Sequence, residues 1–192
     1  MVSEASKTLA EFRHRVDLRR DDLLELAYAN EFDVIFSTAV FHWIKDQDRL
    51  FANLYRALRR GGLLHAQCGG GPNLKRLRSR IRGLAATPEY SPYFEGLERL
   101  WEYPGPELMA ERLRKAGFIQ VETGLEEAPV HLPDEQNYRE FVAAVIVHPF
   151  LPRMPQERGK IFMDELAAAA AKDDPPYTLD YWRLNMSARK GD

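Results

Sequence analysis

Apolar residues recur along this chain with two periods, and the switches between them predict most of its elements. Leu50, Leu54 and Leu58 recur at i, i+4 and i+8, which predicts a helix over 48–59. Leu74, Leu77, Ile81 and Leu84 fall on one face of a second helix, over 74–84. A third is predicted over 106–116, with Pro106 at its start and Gly117 past its end. Two more are predicted over 134–148, stopped by Pro149, and over 156–172. The last contains five consecutive alanines, from Ala167 to Ala171, which read as helix propensity and close packing. Ser3 to Arg15 reads as a short helix with Leu9 and Phe12 on a shared face.

Between these lie strand signals. "FDVIFS" (32–37) is nearly continuously apolar, so a sheet covered on both faces is expected there. "LLHAQC" (63–68) is the next strand, "FIQVETGLEE" (118–127) another, and "TLDYWRLNMSARK" (178–190) alternates as a final one. "VDLR" (16–19) is a short candidate. Arg60-Gly61-Gly62 stops the 48–59 helix, with Gly61 suited to a left-handed cap. The order strand, helix, strand from 32 to 68 implies a parallel pair with a right-handed crossover.

Composition narrows the class without naming it. At 192 residues, one domain of 1–192 has room for a substantial core. A net charge of −2 gives no electrostatic argument for nucleic acid or for a membrane surface. The single cysteine, Cys68, excludes an internal disulfide framework and fits a reducing compartment. "MVSEASKTLAEFRHR" has no apolar core segment of the signal-peptide kind. No apolar run approaches the roughly 20 residues of a membrane helix. The expectation is a cytoplasmic protein.

Candidate chemistry is sparse. The five histidines (14, 42, 65, 131 and 148) show no metal-ligand spacing and have no cysteine beside them, so no metal site is expected. Nothing resembles a nucleophile elbow. "GGG" at 69–71 follows a strand but lacks the spacing of a dinucleotide loop, and reads as a turn. Lys75, Arg76, Arg78, Arg80 and Arg82 crowd one helix: a solvated face in the plain reading, an anion-docking face in the sharper one. His42-Trp43 lies just beyond the carboxyl end of the "FDVIFS" strand, where open α/β sheets bind ligands; the plain reading is a packed Trp beside a satisfied His.

Taken in order, "FDVIFSTAVFHWI", "LFANLYRALRRGGLLHAQ", "PELMAERLRKAGFIQVE" and "LDYWRLNMSARK" resemble the class I S-adenosylmethionine-dependent methyltransferases, in particular the trans-aconitate methyltransferase-like group. The resemblance spans essentially the whole chain. It implies an α/β Rossmann-like fold, with a mostly parallel sheet, an antiparallel C-terminal strand and helices on both faces. By residue, Asp22 of "RRDDLLELAY" matches the acidic group that reads the cofactor's adenine, and Leu23 its backbone-contacting neighbour. Ser37, Thr38 and Ala39 match the turn beside the methionine part, while His42 and Trp43 match the helix start that faces the substrate.

The family's glycine-rich loop has no counterpart here. The resemblance therefore implies that "MVSEASKTLAEFR" corresponds to the segment after the family's second strand. Two strands, the glycine loop and a helix would then be missing. Cofactor binding would be weak or absent, and "FDVIFS" would be left with an unpaired edge that invites a homodimer. The implied activity is methyl transfer to a small molecule, a carboxylate in the first instance, with His42 as base if the acceptor is an alcohol or amine. The competing expectation is a non-catalytic methyltransferase-like module that binds a protein partner or itself through the sheet edge.

Overall fold

The computed structural model describes residues 2–96 and 101–192. Helix α1 (Val2–Thr8) and a 3-10 turn at Ala10–Phe12 open the chain. Neither buries a residue, so Leu9 and Phe12 do not dock as an amphipathic face should. "VDLR" forms no strand. Its two apolar residues are flanked by Arg15, Asp17, Arg19 and Arg20, and the Arg19 and Asp17 side chains pair with each other at 2.8 Å on the exposed surface.

Strand β1 (Phe32–Thr38), helix α2 (Gln47–Ala57) and strand β2 (Leu58–Gly69) follow. The α2 helix is capped by Asp46, whose side chain accepts from the Arg49 N–H at 3.0 Å. It ends at Ala57, and Leu58 is already extended, so β2 begins five residues earlier than expected. Gly61 is left-handed, with φ +70°, but it lies within this strand and caps no helix. There the register slips: Phe32 faces Leu58 while Val34 faces Leu63, so β2 bulges past β1.

Helices α3 (Lys75–Ala85), α4 (Ser91–Phe94) and α5 (Pro106–Lys115) precede β3 (Phe118–Glu127) and the short β4 (Val130–His131). Helix α6 (Glu135–Phe141) continues into one π turn, Val142–Ile146; α7 (Gln156–Ala170), β5 (Thr178–Leu179) and β6 (Trp182–Lys190) complete the chain. The main sheet has the order β1-β2-β6-β3. β1 and β2 are parallel, and β6 runs antiparallel to both β2 and β3. Three strands thus share one direction and the C-terminal strand opposes them, as expected for a mixed α/β sheet.

Two apolar clusters divide the interior. In the first, Leu50 and Leu54 of α2 and Met109 and Leu113 of α5 pack on Leu64 of β2 and Leu184 of β6. Each such side chain contributes about 1.5–3 kcal/mol relative to exposure. The second joins α3, α6 and α7 through Leu77, Ile81, Tyr138, Phe162 and Leu166. Ala167 and Ala170 are fully buried in it, so the alanine run does serve close packing.

The expectation of helices on both faces of the sheet is not met among the described residues. α2 and α5 cover one face. On the other, Val34 is 56% and Phe36 70% exposed, and His65 of β2 is exposed too. The reason is legible in β2 and β6, whose outward positions are polar: His65, Gln67, Asn185 and Ser187 alternate with buried Ala66, Cys68, Leu184 and Met186. The apolar run of β1 does not continue across its neighbours.

Candidate functional site

Strand β1 ends in a sharp turn that builds the site. Ala39 is left-handed, with φ 57°, and its N–H donates to the Gln67 carbonyl at 2.8 Å. A 3-10 turn follows at Phe41–Trp43. Phe41 is buried edge-on against Phe51, with centroids 5.7 Å apart, and its carbonyl accepts from the Gln47 side chain at 3.1 Å. With Phe41 anchored inward, His42 and Trp43 turn toward a cavity of about 330 Å³. Its floor is the carboxyl ends of β1 and β2, with Thr38, Ala39, Gln67 and Gly69. Its roof comes from the second cluster, with Phe141 and the π-turn residues Val145 and Ile146.

His42 is held firmly. Its Nδ1 accepts from the Gly69 N–H at 3.1 Å, and its own carbonyl accepts from the Glu102 N–H at 2.8 Å. Burial pushes its pKa down to about 4, so the ring is neutral at pH 7 with Nε2 as its donor. Burial also pushes the Cys68 thiol up to about 12, which leaves it an unreactive packing group. Gly69 is required by space: a Cβ there would stand 2.6 Å from both Asn73 Nδ2 and Tyr103 Cε1.

Of the residues expected from sequence, Thr38, Ala39, His42 and Trp43 line this cavity together, whereas Asp22, Leu23 and Ser37 do not. Ser37 is half-buried within β1, opposite Ala66. Leu23 packs against the first cluster, and its carbonyl accepts from the Asn53 side chain at 3.1 Å. Asp22 is exposed, with Oδ1 accepting from the Leu24 N–H at 2.9 Å in a local turn.

The arginine-rich helix resolves toward its structural reading. Arg80 forms a bidentate pair with Asp173 at 2.6 and 2.9 Å, and Arg76 lies 3.5 Å from the same carboxylate. Arg78 stacks over the Tyr103 ring at 4.7 Å. Only Lys75 and Arg82 of the five cations are exposed.

Trp101, Tyr103, Tyr181, Trp182 and Arg183 also line the cavity, and pattern reading missed them. The available signal was the pair of aromatic clusters "WEY" and "DYW", set far apart in sequence. The rings adjoin: His42 and Tyr103 have centroids 5.6 Å apart, Trp43 and Trp101 6.1 Å, and Trp101 and Tyr103 stack at 6.3 Å. Among the described residues no cluster of His, Cys, Asp or Glu could hold a metal ion, and no helix is long and apolar enough to cross a membrane.

Comparison with known proteins fits this geometry. A methyltransferase domain family matches residues 1–66. The malonyl-[acyl-carrier protein] O-methyltransferase of Calditerrivibrio nitroreducens is 34% identical over 92 residues, which are 48% of this chain and 36% of that protein. The trans-aconitate 2-methyltransferase of Deinococcus radiodurans is 28% identical over 150 residues, 74% of this chain and 56% of its own length. The chain therefore spans about a third to a half of these relatives. Among solved structures, a proposed methyltransferase from Bacillus halodurans superposes with a TM-score of 0.64 at 13% identity, over 100% of this chain and 79% of that one. Phosphoethanolamine N-methyltransferase 2 of Haemonchus contortus, solved with S-adenosylhomocysteine and phosphomonomethylethanolamine, gives a TM-score of 0.56 at 21% identity, over 100% of this chain and 41% of its own.

The fold is that of the Rossmann-like methyltransferases. Residues 1–66 match a methyltransferase domain family, and the relatives named above are methyltransferases.

Proposed function

We propose that this chain binds S-adenosylmethionine and directs its methyl group to a small-molecule acceptor, a carboxylate in the first instance. The observation that carries the reading is the cavity at the carboxyl ends of β1 and β2, where Thr38 and Ala39 adjoin His42 and Trp43. The two relatives named above, a malonyl-[acyl-carrier protein] O-methyltransferase and a trans-aconitate 2-methyltransferase, favour that acceptor class.

The residues present fit such a cofactor. A cationic sulfonium is attracted by ring faces, which Trp43 supplies, and the side-chain-free Gly69 leaves the floor open. Thr38 and Ala39 would hold its methionine part, while Asp22 and Leu23, the residues expected to read its adenine, stand outside the cavity. When bound, S-adenosylmethionine supplies an electrophilic methyl group. The chain's own work is to orient the acceptor and keep water out, through the aromatic walls and the Val145–Ile146 roof. A carboxylate acceptor needs no base. His42 is better suited to donate from Nε2 than to take a proton, because its Nδ1 is committed to Gly69.

Since Asp22, Leu23 and Ser37 stand outside the cavity, the anchors within it are few, and we expect weak cofactor binding, with no detectable affinity at micromolar concentration. Saturation-transfer NMR at millimolar S-adenosylmethionine tests the reading. Transfer to the cofactor's methyl protons in the wild type, lost in Thr38→Val/Trp43→Ala, is the expected result. Absence of transfer at millimolar concentration overturns it in favour of a non-catalytic module. For assembly, we propose a homodimer through the edge of β1. Among the described residues that strand has no ladder partner on its outer side, and its one charge, Asp33, is paired with Arg59 at 2.8 Å.

A further inference from the structure

The proposed reading leaves the acceptor's shape open, and the cavity lining speaks to it. Six aromatic side chains face the cavity: Trp43, Trp101, Tyr103, Phe141, Tyr181 and Trp182. Among the described residues no carboxylate lines it, and the single permanently charged lining residue is Arg183. Arg183 stands opposite Gly69 on β2 and Glu126 on β3. The Glu126 carboxylate is engaged by the Asn185 side chain at 3.2 Å, and the Arg183 guanidinium has no hydrogen-bond or ion-pair partner among the described residues. Tyr103 and Tyr181 add polarity without charge, since burial pushes both phenols up to about 12 and keeps them protonated.

These features select against a polyanion. One free guanidinium can replace the hydration of one carboxylate, in the bidentate geometry that Arg favours. A second or third carboxylate would lose water against ring faces, whose negative electrostatic potential repels anions. The same faces favour a flat apolar body, which can lie against Trp43 and the stacked Trp101–Tyr103 pair. The cavity's size falls at the small end of small-molecule sites.

We infer that the acceptor is a planar, largely apolar monoanion, an aryl or similarly conjugated monocarboxylate, with its body between the aromatic walls and its charge at Arg183. This rests on the transferase reading for the word acceptor, but the occupancy it describes needs no cofactor.

All three tryptophans of the chain, Trp43, Trp101 and Trp182, line this one cavity, so intrinsic fluorescence reports its occupancy. The experiment is a titration of the full chain, without cofactor, with 4-nitrocinnamate, a planar aryl monocarboxylate whose nitroarene quenches indole emission. Saturable quenching is expected. Arg183→Gln, an exposed position whose fold is checked by circular dichroism, should weaken 4-nitrocinnamate about fivefold, the size of one partly exposed charged contact. The uncharged 4-nitrocinnamamide should bind wild type and Arg183→Gln alike. Propane-1,2,3-tricarboxylate should not displace the aryl acid at equal concentration. Non-saturable quenching, an equal loss of acid and amide in Arg183→Gln, or displacement by the tricarboxylate below the aryl acid's own concentration would each overturn the inference. A chain that takes the aryl acid but gives no saturation transfer to S-adenosylmethionine keeps this inference and loses the transferase reading; the reverse pattern loses this inference alone.

Discussion

Removing the titration of His42 should flatten the acid side of the stability profile. The half-buried imidazole lines the cavity, with Nδ1 accepting from the Gly69 N–H, and burial alone pulls its pKa from 6.5 to about 4. The depressed value means that the unfolded chain binds the proton more tightly than the folded one. Above pH 6.5 both states are neutral at this site and it costs nothing. As pH falls from 6.5 towards 4, only the unfolded state gains the proton, and stability is lost. The loss totals ~3 kcal/mol once pH is below 4, and ~2 kcal/mol of it is already gone at pH 5.

His42→Asn separates this titration from the hydrogen bond. The Asn side-chain oxygen falls near the place of Nδ1 and can still accept from the Gly69 N–H, yet it does not titrate. Urea unfolding followed by circular dichroism at pH 7, 6, 5 and 4.5 is the assay. The variant should lose some of its stability at pH 7, through the smaller ring-free side chain, but between pH 7 and pH 5 it should lose about 2 kcal/mol less than the wild type. Parallel stability curves for the two proteins would refute the reasoning, because they would mean that His42 protonates freely in the folded state.

The remaining predictions concern the cavity floor and the sheet edge. Gly69→Ala places a Cβ 2.6 Å from Asn73 and Tyr103, so it should destabilise the fold by about 1–3 kcal/mol in urea melts and reduce aryl-acid quenching; an unchanged midpoint would show that the loop bearing Tyr103 yields freely. Phe36→Lys puts a charge on the 70% exposed position of β1 and should shift a dimer at tens of micromolar to monomer in sedimentation velocity; a wild type that is already monomeric there would end the dimer proposal.

Elements with a strong period were legible, and their boundaries moved for local reasons. Helices α3, α5 and α7 lie within a residue or two of the 3.6-residue pattern. β2 was underestimated because Arg59, Arg60 and Gly61 look like a helix stop, whereas the backbone there is an extended bulge. The polar character of those positions reflects an edge-facing irregularity, and composition alone does not separate it from a turn. "VDLR" failed for the complementary reason: four residues with the right local alternation form a strand only when a ladder partner exists, and pairing is not a local property.

The site was half legible, along a line that follows chain proximity. Thr38, Ala39, His42 and Trp43 come from one continuous turn, so a single strand-to-helix junction was enough to find them. The opposing wall is assembled from 101–103 and 181–183, and it is the β2–β6 pairing, with Gly69 opposite Arg183, that brings the latter to the same floor. A backbone bond from the Glu102 N–H to the His42 carbonyl ties the 101–103 segment there. That bond links both halves through the residue that also grips Gly69. His42 is thus placed less as a reactive group than as the joint between the turn, the glycine floor and the aromatic wall. Its loss of basicity is the electrostatic consequence of being packed into that joint, so a variant that restored the basicity would have to loosen the wall that shapes the cavity.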